Sequence, residues 1–299
     1  MSDLTGTSAT NGTVDPAEAR RTWRSLEAVH GMIYFTPEAP PRYAEVGIVS
    51  GRTGYFASRA AAMGAVEPEV VVATFYNFHP ALVRRAMHDV WAATTPTAMI
   101  DARLAAVDAS LRLAFGDELL ASRELADAAD VLRGAAEVAC ERPEGRPLFA
   151  GHAQLAWPDE PHLVLWHAQT LLREFRGDGH IAALTIEGLS GLEALVSHAA
   201  SGDVPAAGLR ATRAWSDDEW AAGVDALAAR GLVDSEGAFT EAGRAQRARI
   251  EDLTDRLAAA PWAALGAERC AELRRLGRTL SQHIVDAGLL AVGRLRLDD

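Results

Sequence analysis

Aromatic, histidine and arginine side chains concentrate in one stretch of the sequence, residues 30–79. All four tyrosines lie between positions 34 and 76, and several phenylalanines lie in or beside the same span. Aromatic rings supply contact area for a flat ligand, and a fixed cation orients an acidic group on it. These residue types predict a pocket for a planar, acidic small molecule, lined by His30, Tyr34, Tyr55, Phe56, Arg59, Phe75, Phe78 and His79. The same side chains could instead form the core of the N-terminal half.

A second candidate site is the segment Arg176-Gly177-Asp178-Gly179-His180. Two glycines around an aspartate are typical of a helix end, so we expect one helix to stop here and another to begin at His180. The N–H groups of a helix start favour anions, and Arg176 and His180 would flank them. We therefore expect Arg176, Asp178 and His180 to complete the pocket. Alternatively, Asp178 only caps the helix and His180 is a surface residue.

The spacing of the titratable residues does not indicate a metal or cofactor site. Glu187 lies two helical turns after His180, but two ligands are too few to define a metal site. His30 lies on an apolar stripe, and His162 and His167 lie on different faces of their helix. The motifs of common hydrolases, nucleotide-binding proteins and zinc proteins are absent from the sequence. A cofactor-dependent enzyme, with haem or a metal in the aromatic pocket, is the alternative to a binding protein.

The composition is that of a globular protein with a net charge of −12 over 299 residues. No run of about eighteen apolar residues lacks a charge, so we expect no membrane span. Residues 1–14 are polar and have no apolar signal-peptide core, so we expect a disordered tail and a cytoplasmic protein. The cysteines, Cys140 and Cys270, have no metal-ligand spacing and are expected to be reduced thiols.

Helix signals along the chain predict a mainly α fold in two parts. Capping residues, apolar spacing and helix-start prolines such as Pro80 and Pro96 divide residues 15–140 into several helices. Prolines and glycines dominate residues 141–160, which we predict to be a linker. Residues 161–299 form the second part, and residues 161–200 within it contain helix, tight turn and helix, the pattern of a helix-turn-helix unit. Residues 70–83 resemble residues 181–196 in apolar spacing, so the N-terminal part could be a degenerate copy of that unit.

The segment after the predicted helix-turn-helix carries a family resemblance. Residues 229–233 (ARGLV) and 239–244 (FTEAGR) resemble the end of the recognition helix and the start of the next long helix in MarR-like winged-helix proteins. The whole chain also resembles a little-characterised actinobacterial winged-helix family, through RGDGH and residues 34–39 and 54–61. The resemblance implies a winged helix-turn-helix domain with a short two-stranded wing, a role in transcription regulation, and dimerisation through terminal helices.

The predicted recognition surface is acidic. Between residues 215 and 241, one arginine, Arg230, stands against carboxylates at Asp217, Asp218, Glu219, Asp225, Asp234, Glu236 and Glu241. DNA-binding winged helices place hydrogen-bond donors and cations here, and carboxylates repel phosphate. Arginines of the following helix, at positions 244, 247 and 249, compensate only in part. DNA is therefore a disfavoured partner, although the fold alone would favour it.

Three hypotheses about function follow. In the first, the protein binds a small molecule and acts as a MarR-like regulator with a weakened DNA-binding surface. In the second, it is a winged-helix scaffold that has lost DNA binding. In the third, it is a cofactor-dependent enzyme. We favour small-molecule binding, because aromatic and cationic side chains concentrate in the N-terminal half. An apolar stripe in the last helix predicts a homodimer, unless it packs within its own chain: Leu273, Leu276, Leu280, Ile284 and Ala287.

Overall fold

The computed structural model describes residues 14–290 and confirms the predicted mainly α architecture. The first half contains α1 (Pro16–Ser25), α2 (Glu27–Gly31), α3 (Ala39–Glu45), α4 (Gly51–Ala60), α5 (Pro68–Phe75), α6 (Pro80–Met87), α7 (Val90–Ala93), α8 (Pro96–Leu120), α9 (Arg123–Cys140) and α10 (Pro147–Ala153). The second half contains α11 (Pro161–Ile186), α12 (Gly191–Ala200), α13 (Ala206–Arg213), α14 (Asp217–Ala229), α15 (Glu241–Ala258), α16 (Ala260–Leu265) and α17 (Ala267–Asp286). No helix within these described residues is long and apolar enough to cross a membrane.

Two of the short helices in the second half, α12 and α14, begin with the same local device. The hydroxyls of Ser190 and Ser216 accept hydrogen bonds from the N–H groups three residues later. The glutamates at those positions, Glu193 and Glu219, accept from the serine N–H groups in return. Because each capping box satisfies N–H groups that a helix start leaves free, the first residue of each helix is fixed.

The predicted two-stranded wing is wrong. Within residues 14–290, the segment between α14 and α15 forms no strand, and Val233 and Phe239 make a single isolated antiparallel bridge. The Asp234 carboxylate accepts hydrogen bonds from the N–H groups of Glu236 and Ala238, at 2.9 and 3.0 Å. These bonds close a tight turn between Val233 and Phe239, so too few residues remain on either side to form paired strands. Residues 161–290 therefore contain a helix-turn-helix without the predicted wing.

The predicted helix break at residues 176–180 is also wrong, because α11 continues through it. A Cβ on Gly179 would lie 2.7 Å from Arg146 Nη1 and 3.3 Å from Leu257 Cβ. Glycine at this position thus permits neighbours to approach the helix closely, rather than turning the chain. Asp178 accepts a hydrogen bond from the Phe149 N–H in α10, at 2.9 Å, instead of capping a new helix. The segment is a packing contact in the middle of a long helix.

Two apolar clusters lie along α11. The larger gathers helices of the first half, the first part of α11, and α16 and α17. The smaller gathers the end of α11 with residues of α12–α15. Because α11 contributes to both and packs against α9 and α15, it connects the two clusters. The segment of residues 141–160 includes α10, and its role as a domain boundary stays a prediction.

The apolar stripe of α17 is buried within its own chain. Leu273, Leu280 and Ile284 belong to the larger cluster. α17 packs against α1, where the Ser281 hydroxyl donates a hydrogen bond to the Ser25 carbonyl oxygen at 2.8 Å. The homodimer stays a prediction, and these buried residues are not free to form its interface.

Candidate functional site

α13 and α14 are two helices joined by a sharp turn, and α14 contains the predicted recognition helix. The turn of the predicted helix-turn-helix, at residues 188–191, instead joins α11 to α12. α13 ends at Arg213, Ala214 has a left-handed φ of 62°, and α14 begins after Ser216. The left-handed residue turns the chain sharply, and the buried side chains of Leu209 and Trp220 hold the two helices on the smaller cluster. α14 therefore takes the position that a recognition helix has in such units.

The turn of this unit is docked on the turn at residues 76–79, between α5 and α6. The His79 N–H donates a hydrogen bond to the Arg213 carbonyl oxygen at 3.0 Å. The Trp215 indole N–H donates to the Asn77 carbonyl oxygen at 3.0 Å, and the rings of Trp215 and His79 meet edge to face. We call this contact between residues 76–79 and residues 213–219 the clamp.

A charged hydrogen bond closes the clamp at the start of α14. His79 Nδ1 accepts from the Ala81 N–H at 3.0 Å, which leaves its proton on Nε2. Nε2 donates to Glu219 Oε1 at 2.9 Å. Hydrogen bonds from the Ser216 N–H and hydroxyl, and from His79, lower the pKa of Glu219 to about 2. Glu219 is therefore an ionised acceptor at neutral pH and holds His79 against the first turn of α14.

Contacts from the N-terminal half extend beyond the clamp to both sides of the helix-turn-helix. The Tyr76 hydroxyl donates to the Leu189 carbonyl oxygen. Gly191, the first residue of α12, lies so close to Tyr76 that a Cβ would overlap the Tyr76 carbonyl oxygen. Arg52 of α4 donates to the Thr212 carbonyl oxygen at 2.9 Å. Both α4 and the turn that follows α5 therefore contact this part of the chain.

The exposed face of α14 carries carboxylates and alanines: Asp217, Asp218, Ala221, Ala222, Asp225, Ala226 and Ala229. The helix contains no basic residue. The arginines that flank it are engaged within the chain. Arg210 pairs with Asp217, and Arg230 donates to the Gly188 carbonyl oxygen at 2.9 Å. The surface that would enter a groove of DNA is therefore negatively charged.

The structure brings most of the predicted aromatic pocket residues together in one packed cluster, which consists of His30, Tyr34, Tyr55, Phe56, Arg59, Phe75 and Phe78. The Arg59 guanidinium lies 4.5 Å from the centre of the Phe75 ring. His30 is buried, and its two ring nitrogens bond to the hydroxyls of Thr170 and Tyr34 at 2.8 and 2.7 Å. His79 lies apart from this cluster, in the clamp.

Glu174 of α11 balances the charge of Arg59, and sequence reasoning missed it. Arg59 Nη2 lies 2.9 and 3.0 Å from the two carboxylate oxygens, and both side chains are buried. Burial opposes ionisation of Glu174, but the guanidiniums of Arg59 and Arg173 outweigh it and lower the pKa of Glu174 to about 2. The aromatic cluster is a packed and charge-balanced part of the interior, and ligand binding by it stays a prediction.

Arg176, Asp178 and His180 lie in the middle of α11, and their partners lie outside the aromatic cluster. Arg176 pairs with Asp255 of α15 at 2.7 Å. His180 Nδ1 lies 2.9 Å from the hydroxyl of Thr254, also in α15. Asp178 is held by α10, and burial is the main cause that raises its pKa to about 6. These residues join α11 to α10 and α15, and their role in a ligand pocket stays a prediction.

A cavity of about 50 Å³ lies between α4, α8, α10 and α11, where the sequence did not indicate one. Its polar lining includes Arg103, His152, Trp166 and His167. Burial, reinforced by Arg103, lowers the pKa of His152 to about 4. Burial also lowers the pKa of His167 to about 3. Both rings are therefore neutral at pH 7, and Arg103 is the charged group in the cavity wall.

No group of three or more His, Cys, Asp or Glu side chains in residues 14–290 is arranged to hold a metal ion. His162 bonds to Asp108 at 2.6 Å, whereas His167 lines the cavity. The two histidines therefore have separate surroundings, as their different helix faces predict. The haem- or metal-dependent enzyme stays a hypothesis.

The model of a helix-turn-helix family matches residues 19–291 of this chain. No curated protein and no solved structure matches this chain. The family match spans the N-terminal helices and the clamp as well as α13 and α14. The family pattern thus covers the whole helical architecture, not the helix-turn-helix unit alone.

Proposed function

This chain belongs to a helix-turn-helix family, and we propose that it is a ligand-responsive member of that family. A small molecule binds in the helical N-terminal half, and its presence sets how firmly the helix-turn-helix is held in the clamp. With the clamp closed, the helix-turn-helix responds to the ligand and does not read DNA sequence.

The observation that carries this proposal is the clamp. In helix-turn-helix proteins that read DNA, the first residues of the recognition helix contact base edges. Here Glu219, in the first turn of α14, accepts a hydrogen bond from His79, and Trp215, just before the helix, donates to Asn77. Docking on DNA in the usual geometry would require this contact to open.

Charge supports the same conclusion. A protein gains affinity for DNA by neutralising phosphates with cations, and each unpaired carboxylate near the phosphates opposes that gain. Asp217, Asp218 and Asp225 lie on the exposed face of α14, and no cation lies on that helix. The exposed face of α14 therefore suits a basic protein partner better than DNA.

α4 offers a physical connection between a ligand and the clamp. Arg52, near its start, donates to the Thr212 carbonyl oxygen beside the clamp. Ser58, near its end, lines the cavity at Arg103. Since one short helix spans both points, a ligand that shifts α4 would move the contact that grips α13. Aromatic residues of the same helix, Tyr55 and Phe56, belong to the packed cluster.

The test combines a ligand screen with a DNA-binding assay. We expect aromatic or other small acids, or porphyrins, to raise the melting temperature of the protein, because a ligand that binds the native state stabilises it. We expect DNA from the upstream region of the gene to bind no more tightly than unrelated DNA, between about 50 and 200 mM salt.

A DNA-reading regulator is the second candidate, and membership of a helix-turn-helix family favours it. The variant Ala222→Glu separates the two, because Ala222 is exposed on α14 outside the clamp. If α14 reads DNA, this variant should abolish specific binding, while Ala105→Glu on the exposed face of α8 should not. Two results together would overturn our proposal. The wild type would bind specific DNA in a salt-dependent way that Ala222→Glu abolishes, and no small molecule would stabilise the protein.

A further inference from the structure

Arg103 of α8 is a buried cation without an acidic partner in the described part of the chain. Its side chain is only 4% exposed. Every ion pair of the described residues involves other groups, and no acidic side chain lines the cavity that Arg103 borders. Buried arginines are normally paired, because an uncompensated charge away from water is costly. Arg103 therefore differs from Arg59 and Arg176, which both have carboxylate partners.

The surroundings of Arg103 hold its guanidinium in one orientation. Nη1 donates to the Ser58 carbonyl oxygen at 3.1 Å and lies 3.3 Å from His152 Nε2. His152 Nδ1 donates to the Leu148 carbonyl oxygen at 2.9 Å, so its Nε2 is free to accept. The guanidinium also lies over the Trp166 ring, 5.1 Å from its centre. One edge of the guanidinium is thus fixed by the protein.

The opposite edge has no partner. Nε and Nη2 of Arg103 are buried and make no hydrogen bond within the described residues. These two N–H groups point in the same direction and form the fork that binds both oxygens of a carboxylate. The Trp166 indole N–H and His167 Nε2, in the same lining, also lack partners. These four buried polar atoms therefore have no hydrogen-bond partner within the described residues.

We propose that this cavity binds a short-chain organic carboxylate, with its two oxygens on Nε and Nη2 of Arg103. The walls beyond the guanidinium are apolar, and include Ile100, Leu104 and Leu155. A volume of about 50 Å³ accommodates a few water molecules or a ligand of a few heavy atoms. Trp166 and His167 give a second polar contact, which suits a 2-hydroxy or 2-oxo substituent. This inference rests on the proposed ligand response and names the chemical class of the ligand.

Titration calorimetry with propionate, lactate and pyruvate tests the site, with propionamide as the neutral control and inorganic phosphate as a second anion. Wild type should bind at least one carboxylate and should not bind propionamide. Arg103→Met keeps an unbranched apolar side chain and removes the charge, and Arg103→Lys keeps the charge and removes the fork. Each should weaken binding by about tenfold or more, the effect of one lost charge-assisted hydrogen bond.

Arg112→Met is the matched control, because Arg112 lies on the same helix in an exposed pair with Asp108. It should leave carboxylate binding unchanged. If Arg103→Met does not fold, as judged by circular dichroism, Arg103→Lys decides the question. The Nε–H resonance of Arg103, which is lost in Arg103→Lys, should shift when the carboxylate is added to wild type.

Equal binding of the carboxylate by wild type and both Arg103 variants would overturn the proposal. So would equal binding of propionamide, or binding of phosphate without any carboxylate. If aromatic acids or porphyrins stabilise the protein and short carboxylates do not bind, this inference fails while the proposed ligand response stands. If no small molecule of any class binds, both fail.

Discussion

Replacement of Glu174 by glutamine is expected to destabilise the protein by about 3–5 kcal/mol, because removal of one partner leaves a buried charge without compensation. Glu174 is 2% exposed and binds the guanidiniums of Arg59 and Arg173. Glutamine has nearly the same shape but no charge, so the loss measures the ion pairs more than the packing. The free energy of unfolding from urea titration is the measurement.

Glu69→Gln is the matched control for this prediction. Glu69 also pairs with an arginine, Arg84, at 2.7 Å, but both side chains are more than half exposed. Water and salt screen such a pair, so the control should differ little from wild type. A similar loss of stability in both variants, or no loss in Glu174→Gln, would contradict the assignment of Glu174 as the buried counter-charge.

The pH profile of Glu174→Gln distinguishes charge from shape. The pKa of Glu174 is lowered from 4.5 to about 2 in the folded protein, so the unfolded state binds a proton more readily. The stabilisation is therefore present above about pH 4.5 and is lost as the pH falls towards 2. The difference between wild type and the variant should shrink over this interval. A constant difference would mean that the variant disturbs packing instead.

Replacement of Gly191 by alanine is expected to have the second large effect, a loss of about 1–3 kcal/mol or more. The added Cβ would overlap the Tyr76 carbonyl oxygen, a backbone atom that cannot rotate away. The strain is relieved only if α12 moves away from the turn at residues 76–79. We therefore expect the clamp to loosen, with faster hydrogen exchange of the His79 N–H and lower overall stability.

Gly134→Ala in α9 is the control, because a Cβ there would meet no heavy atom within 4 Å. Alanine is the better helix former, so this variant should gain about 0.5–1 kcal/mol. Opposite signs for the two glycine substitutions are expected. If Gly191→Ala also stabilises the protein, the close approach of α12 and Tyr76 is wrong.

The local features of the fold could be predicted from the sequence, because local signals determine them. Pro80 and Pro96 begin α6 and α8, as expected. Capping and proline effects depend on residues within one turn, so the neighbouring sequence contains the necessary information.

The continuity of α11 through residues 176–180 and the clamp depend on residues far apart in the chain. Gly179 was interpreted as a turn residue, because the sequence alone does not show that Arg146 and Leu257 pack against it. The contact of His79 with Glu219 spans 140 positions. The wing was predicted from a resemblance in the flanking residues, but the bonds of Asp234 decided the shape of the segment.

The buried charges of the two helices have a signature in the sequence. Arg103 lies at helical spacing among the buried residues Met99, Ala106 and Val107, and Glu174 lies between Leu172 and Phe175. A charge on an apolar face predicts either a buried partner or a site. The sequence does not say which, because Arg59 and Glu174 are 115 positions apart.

The clamp is the central claim, and hydrogen exchange of the His79 backbone N–H tests it most directly. This N–H lies at the end of a surface turn and is bonded to the Arg213 carbonyl oxygen of the helix-turn-helix. If the clamp is the resting state, exchange should be slowed to a degree comparable with the buried amides of α11, and should quicken in Gly191→Ala. Exchange as fast as that of an exposed amide without a hydrogen bond would show that the helix-turn-helix is not held, and would contradict the account.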